Sequence, residues 1–132
     1  SRASVLAENI QKWGHANVVV TNNDPSDFAA LPGFFEVILI DAPCSGEGLF
    51  RKEPEAMNEW SEEHVQLCAA RQKRIVSDVW PALREDGLLI YSTCTYSAAE
   101  NEENLVWMDA NQSVEFIELT DLPEGVEEVR PK

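Results

Sequence analysis

Two cysteines stand in matched surroundings, Cys44 within LIDAPCSGEG (Leu39–Gly48) and Cys94 within LLIYSTCTYS (Leu88–Ser97). Each follows an apolar stretch that reads as a β-strand, and each sits among small polar residues. An acid, Asp41, closes the first stretch. A cysteine thiolate is a strong nucleophile, and a positive or dipolar neighbour lowers its pKa well below about 8.5. Asp41 could hold or protonate a ring nitrogen as a general acid, with Cys44 as a second acid or base. A nucleophile, an acid and a helper thiol suit addition–elimination on an electron-poor ring. Two thiols on one edge equally suit a reversible redox dithiol.

The elements that must position these groups follow from periodicity. Ala3–Trp13 reads as an amphipathic helix with Val5, Leu6, Ile10 and Trp13 on one stripe. Asn17–Thr21 reads as a short β-branched strand, and NNDPSD after it as a loop. Phe34–Asp41 is a second strand, whose unbroken Val-Ile-Leu-Ile predicts burial on both faces, as in a parallel sheet. Residues 42–60 are irregular, with a short helical turn expected near Glu55–Trp60. Ser61 is a good N-cap, and Val65, Cys68, Ala69, Ile75, Val76, Val79 and Leu83 follow at helical spacing. Pro81 should end that helix, and Gly87 should break to a third strand, Leu88–Cys94. Ser97 and Glu100 spell a capping box for a helix to about Asn111. Its N-terminus would favour a thiolate at Cys94. Val114–Leu119 alternates like an edge strand, and the polar tail should fray.

Strands alternating with helices predict an α/β layered fold with a mainly parallel sheet. Ligands in such folds bind beyond the carboxyl ends of the strands. Neighbouring strands lie about 4.8 Å apart, so Cys44 and Cys94 would face one crevice if their strands pair. Asp24 and Asp41, each following a strand, share that edge.

Composition narrows the function classes. The 132 residues fit one domain, with no internal repeat or linker. No apolar run approaches membrane-spanning length, and the opening lacks signal-peptide anatomy. Three cysteines without a secretory signal argue for free thiols in a reducing cytoplasm, and no Cys-x-x-Cys or His/Cys cluster predicts a metal site. A net charge of −14 argues against binding nucleic acid by bulk electrostatics. Five of the ten basic residues nevertheless fall between Arg51 and Arg74. Such a strip could contact phosphate or be no more than a solvated helix face. Cys68 belongs to the helix stripe, His15 and His64 to the surface, and Trp60, Trp80 and Trp107 to packing.

The wording of the motifs is more specific. DAPCSGEG, then FRKEPEAMNEW, then YSTCTYSAAENEEN closely resemble the Fmu/Sun (NOL/NOP/Sun) family of RNA cytosine-5 methyltransferases, and the GEGLFRK continuation resembles its ribosomal-RNA branch. The resemblance spans nearly the whole chain. It implies a Rossmann-like class I methyltransferase domain, S-adenosylmethionine as cofactor, and RNA as partner: ribosomal RNA, with transfer RNA as the alternative. By resemblance, Cys94 attacks carbon 6 of a flipped-out cytosine, Asp41 supports the ring at nitrogen 3, and Cys44 assists removal of the carbon-5 proton. Asp24, Asp41 and Pro43 match cofactor-side positions, and Arg51 and Lys52 match a basic pair that would meet RNA phosphate.

Relative to that family, the chain lacks the glycine-rich cofactor loop, the acid that holds the ribose, the closing strands and the separate RNA-binding domains. Residues 1–132 are therefore expected to be the C-terminal portion of a catalytic domain within a longer protein, inactive alone. In the family sheet order 3-2-1-4-5-7-6, Asn17–Thr21 would be strand 3 and Phe34–Asp41 strand 4, without the two strands between them. An exposed apolar edge would follow, open to self-association. Two other classes remain: a thiol-exchange domain using Cys44 and Cys94, and a non-catalytic scaffold binding through that edge.

Overall fold

A computed structural model of the chain describes residues 2–50, 52–53, 55, 60–120 and 122–125. In order it contains helix α1 (Arg2–Trp13), strand β1 (Phe35–Asp41), helix α2 (Glu62–Val79), strand β2 (Leu83–Ser92) and helix α3 (Glu102–Asn111), with short 3-10 turns between them. β1 and β2 pair in parallel, with Val37 opposite Leu88, Leu39 opposite Ile90 and Asp41 opposite Ser92. Parallel neighbours need a long crossover, and α2 supplies it.

α2 forms where the stripe and cap predict. The Ser61 hydroxyl accepts the His64 N–H at 3.1 Å, and Glu62 and Glu63 occupy the first turn, where carboxylates complement the helix dipole. Val65, Cys68, Ala69 and Val76 are buried, as the spacing predicted. The helix ends at Val79 because Pro81 cannot continue it, and Trp80–Ala82 turns into β2.

β2 begins earlier than expected, at Leu83, because Leu83 pairs with Phe35 and the next residues loop out before Leu88 meets Val37. Asp86 takes φ 58°, and a Cβ on Gly87 would fall 2.8 Å from the Arg84 carbonyl oxygen, so only glycine fits this fold-back. The strand also ends earlier, at Ser92, which leaves Thr93 and Cys94 beyond it.

Burial is one-sided, against the expectation for β1. Ile38, Ile40, Leu89 and Tyr91 pack on Ile75, Val76 and Val79 of α2 and on Leu105, Trp107 and Met108 of α3. Burying Ile40 or Val76 contributes about 1.5–3 kcal/mol each. Val37 and Leu39 on the opposite face are 53% and 64% exposed, because among the described residues both packed helices lie on one side. α1 buries none of its residues.

Asn17–Thr21 and Val114–Leu119 are not strands. A strand needs a partner for its N–H and C=O groups, and the described sheet has only β1 and β2. The Ser97–Glu100 capping box is also absent. Ala98–Glu100 forms a 3-10 turn in which Ser97 makes no side-chain cap bond, and Glu100 turns inward, fully buried. α3 starts only at Glu102. The turn near Glu55–Trp60 and the tail fall largely outside the described residues. Among the described residues no helix is long and apolar enough to cross a membrane, and no His/Cys/Asp/Glu group could hold a metal ion.

Candidate active site

The carboxyl ends of β1 and β2 lie side by side, stitched by the Ala42 N–H donating to the Ser92 carbonyl at 2.9 Å. The loops that leave them bring Cys44 and Cys94 together. The two sulfurs are in contact and the Cα atoms are 6.4 Å apart. Cys94 is exposed and Cys44 half-buried. α3 begins too late, and with Glu102 and Glu103 in its first turn, to serve as the expected dipole beside Cys94.

Each cysteine loop is gripped by a carboxylate from the other. Glu100, downstream of Cys94, accepts the Ser45 N–H at 3.0 Å. Glu47, downstream of Cys44, accepts the Thr95 hydroxyl at 3.0 Å and the Tyr96 N–H at 3.1 Å. Between these grips the Gly48 N–H donates to the Cys94 carbonyl at 2.8 Å. A Cβ at Gly48 would stand 2.2 Å from that oxygen, so glycine permits the approach.

A buried polar chain backs this arrangement. The Gln72 Nε2 donates to the Pro43 carbonyl at 2.9 Å and to Glu100 at 2.8 Å, and its Oε1 accepts from Asn104 at 2.8 Å. Cys44 is thus held from both flanks, at the carbonyl of Pro43 and the amide of Ser45. Buried polar groups of this kind are costly unless paired; the bonds of Gln72 and Glu100 fix the loop, while the Asn104 Oδ1 is left without a partner among the described residues. The Tyr91 hydroxyl donates to the Glu100 carbonyl at 2.8 Å, and burial pushes its pKa above the ordinary value, with the Asn104 hydrogen bond opposing and Glu100 adding. Burial likewise raises the Cys68 thiol, with Glu100 adding and Arg71 opposing.

Asp41 ends β1 exposed, with the Ser92 hydroxyl donating to it at 3.3 Å. Pro43 is exposed beside it. Asp24 caps the 3-10 turn Pro25–Ala30; the amide and hydroxyl of Ser26 donate to its Oδ1 at 3.1 and 2.9 Å. Those bonds hold its pKa below the ordinary value, with burial opposing and Arg74, 3.9 Å away, contributing. Lys52 is exposed on the turn after Gly48, and Arg51 lies outside the described residues.

Two cavities flank the cysteine loops. One, of about 450 Å³, runs along the unpaired edge of β1 to Asp41 and Pro43, with Asn23, Pro25 and Phe28 on its far wall. Asp24 adjoins that wall without lining it. The other, of about 630 Å³, is walled by Glu47, Gly48, Phe50, Lys52 and Tyr96. The first reaches Pro43, next to Cys44, and the second reaches Gly48, which touches the Cys94 backbone.

Gln72, Asn104 and the role of Glu47 escaped the sequence reading. Gln72 left one signal, a polar residue in the apolar stripe of α2.

A parallel strand–helix–strand unit with paired cysteine loops beyond its strand ends is part of a class I methyltransferase fold. The solved structure of NSun6 from Pyrococcus horikoshii with SFG superimposes with a TM-score of 0.70 and 34% identity, covering 79% of this chain and 26% of that one. Residues 1–127 match the 16S rRNA methyltransferase RsmB/F family, and the chain belongs to it. It is 46% identical over 128 residues to the ribosomal RNA small subunit methyltransferase F of Escherichia coli O157:H7, covering 95% of this chain and 27% of that protein. The homologue of the same name from Escherichia fergusonii is 45% identical over 130 residues, with 96% and 27% covered. The chain spans about a quarter of the length of these relatives.

Proposed function

We propose that this chain is the C-terminal portion of a catalytic domain that methylates carbon 5 of a cytosine in ribosomal RNA. The observation that carries the reading is the meeting of two thiols, on loops that each border a cavity, at one end of a parallel strand pair. The names of the 45–46% identical relatives support ribosomal RNA over transfer RNA as substrate.

The cavity at the end of β1 fits a nucleoside cofactor. Its walls are apolar through Pro25, Phe28 and Ile75, with the polar groups Asn23 and Asp41 also lining it. SFG, found with the NSun6 neighbour, is an analogue of S-adenosylmethionine. S-adenosylmethionine supplies the electrophilic methyl group when bound, with Asn23, Asp41 and Pro43 holding it and Asp24 fixing the adjoining turn.

The chain's own residues do the rest. Carbon 5 of a neutral cytosine is a poor nucleophile, and covalent catalysis overcomes this. The Cys94 thiolate, the more exposed of the two, adds to carbon 6, and the displaced ring electrons make carbon 5 nucleophilic. Asp41 supports the negative charge at nitrogen 3. After carbon 5 is methylated, Cys44 takes its proton. The electrons of that C–H bond restore the ring double bond, and the Cys94 sulfur leaves carbon 6. Lys52, with Arg51, meets RNA phosphate. The free edge of β1, and the exposed apolar face at Val37 and Leu39, are covered by further elements of the longer protein; the isolated chain would self-associate there.

The test uses the full-length protein and target RNA carrying 5-azacytosine, scored as a covalent complex on a denaturing gel. Wild type forms the adduct and Cys94→Ala loses it, while Cys44→Ala accumulates one even on ordinary cytosine. An adduct that persists in Cys94→Ala overturns the assignment.

A further inference from the structure

The groove on the far side of the cysteines holds two aromatic residues, Phe50 and Tyr96, to which the proposed chemistry gives no role. Tyr96 lies two positions after Cys94 and is 87% exposed, unusually open for an aromatic ring. Its backbone is nonetheless fixed: the Tyr96 N–H and the Thr95 hydroxyl both donate to Glu47. The ring is a bare platform on a braced base. Phe50 and Lys52 line the same groove, whose 630 Å³ is ample for one nucleotide. The Glu47 carboxylate at its floor accepts from Thr95, Tyr96 and the Trp60 indole at 3.1 Å. Those donors engage the Glu47 carboxylate, and Lys52 is the cation among the residues that line the groove.

We propose that this groove takes the nucleotide next to the target cytosine, with its base stacked on Tyr96 and its phosphate near Lys52. The inference rests on the RNA-methylation reading and adds a subsite to it. An exposed aromatic beside a cation is how single-stranded nucleic acid is held without base-edge readout. The position suits a neighbour better than the target. The Gly48 wall abuts the Cys94 backbone, so a base in the groove lies beside the nucleophile rather than over it. When the target cytosine is turned out toward Cys94, its neighbour loses a stacking partner, and Tyr96 replaces that partner.

The experiment is a cycle between enzyme and RNA. Full-length wild type, Tyr96→Ala and Tyr96→Phe are assayed on a short target RNA and on two versions with an abasic residue immediately 5′ or 3′ of the cytosine. On intact RNA, Tyr96→Ala should raise KM about 5- to 160-fold, the range that stacking one base spans. Tyr96→Phe should stay within about twofold, because the ring remains. On one of the two abasic RNAs, wild type and Tyr96→Ala should have equal KM. A penalty that persists on both abasic RNAs makes Tyr96 merely structural and overturns the subsite, as does an unchanged KM on intact RNA. Quenching of 2-aminopurine at the same flanking positions reads stacking without turnover. Loss of quenching in Tyr96→Ala therefore supports the groove even if the covalent chemistry fails, and quenching unchanged by the substitution sinks the groove even if that chemistry stands.

Discussion

The carboxylate of Glu100, fully buried, accepts the backbone N–H of Ser45 at 3.0 Å across 55 positions of sequence. That bond ties the loop carrying one cysteine to the turn that follows the other. Replacing Glu100 with Gln exchanges one acceptor oxygen for a donor, and both the Ser45 N–H and the Gln72 amide face the acceptors. Leaving a buried donor unpaired costs about 1–3 kcal/mol. Urea denaturation of the full-length Glu100→Gln variant should register a loss of that size. At temperatures where the variant is still folded, kcat should fall with KM for RNA little changed, because the loop and not the RNA surface has moved.

Gly48→Ala tests the approach of the two loops directly. The added methyl would meet the Cys94 carbonyl oxygen at 2.2 Å, a backbone atom that cannot swing aside. The loops must part, and the Gly48–Cys94 hydrogen bond goes with them. Methyl transfer should fall at least about tenfold, which corresponds to about 1.4 kcal/mol of barrier. Cofactor binding, measured by calorimetry, should change far less, since Gly48 lines the other cavity. An active Gly48→Ala enzyme would show that the close contact is dispensable.

The titrating groups predict opposite pH behaviour. Burial raises the Cys68 thiol above its ordinary 9.0, so the folded state holds that proton more tightly than the unfolded one. Its contribution is fully present below that value and is lost as pH rises through the folded pKa. The thiol form is a poor nucleophile. Under reducing conditions at pH 8, iodoacetamide should therefore label Cys94 well before Cys68, read by peptide mass spectrometry. Asp24 runs the other way. The Ser26 bonds lower its pKa from 3.8, so its capping contribution holds above that value and is lost as pH falls through the folded pKa.

The strand–helix–strand core was readable because local signals and packing agree there. The stripe of α2, the Ser61 cap and the β-branched run of β1 each point to the element that forms. Asn17–Thr21 carries the same β-branched signal without becoming a strand, because pairing depends on a neighbour that no local pattern supplies. Glu100 failed for a related reason. Ser97-x-x-Glu100 spells a cap, yet Ser45 and Gln72, both distant in sequence, offer the carboxylate better partners inside. The cysteine pair was readable as far as the shared edge, since each follows a strand and the strands are neighbours. The mutual grip of Glu47 and Glu100 was not, because Glu47 alone looks like surface charge and Glu100 like a helix cap.

The meeting of Cys44 and Cys94 also predicts redox sensitivity, the point at which a thiol-exchange reading competes with methyl transfer. Their Cα separation of 6.4 Å lies within the 4.4–6.8 Å that a disulfide spans, and Cys94 is open to solvent. An exposed thiolate attacks an oxidised low-molecular-weight disulfide, releasing one thiol, and the second cysteine then displaces the other to close the bridge. Full-length enzyme treated with oxidised glutathione should lose both methyl transfer and adduct formation, and dithiothreitol should restore them. Cys68→Ser should behave like wild type, since Cys68 is buried and bonded to neither member of the pair. If activity survives while mass spectrometry shows the Cys44–Cys94 bridge in place, the thiols are not the catalytic pair and thiol exchange becomes the better account of why they meet.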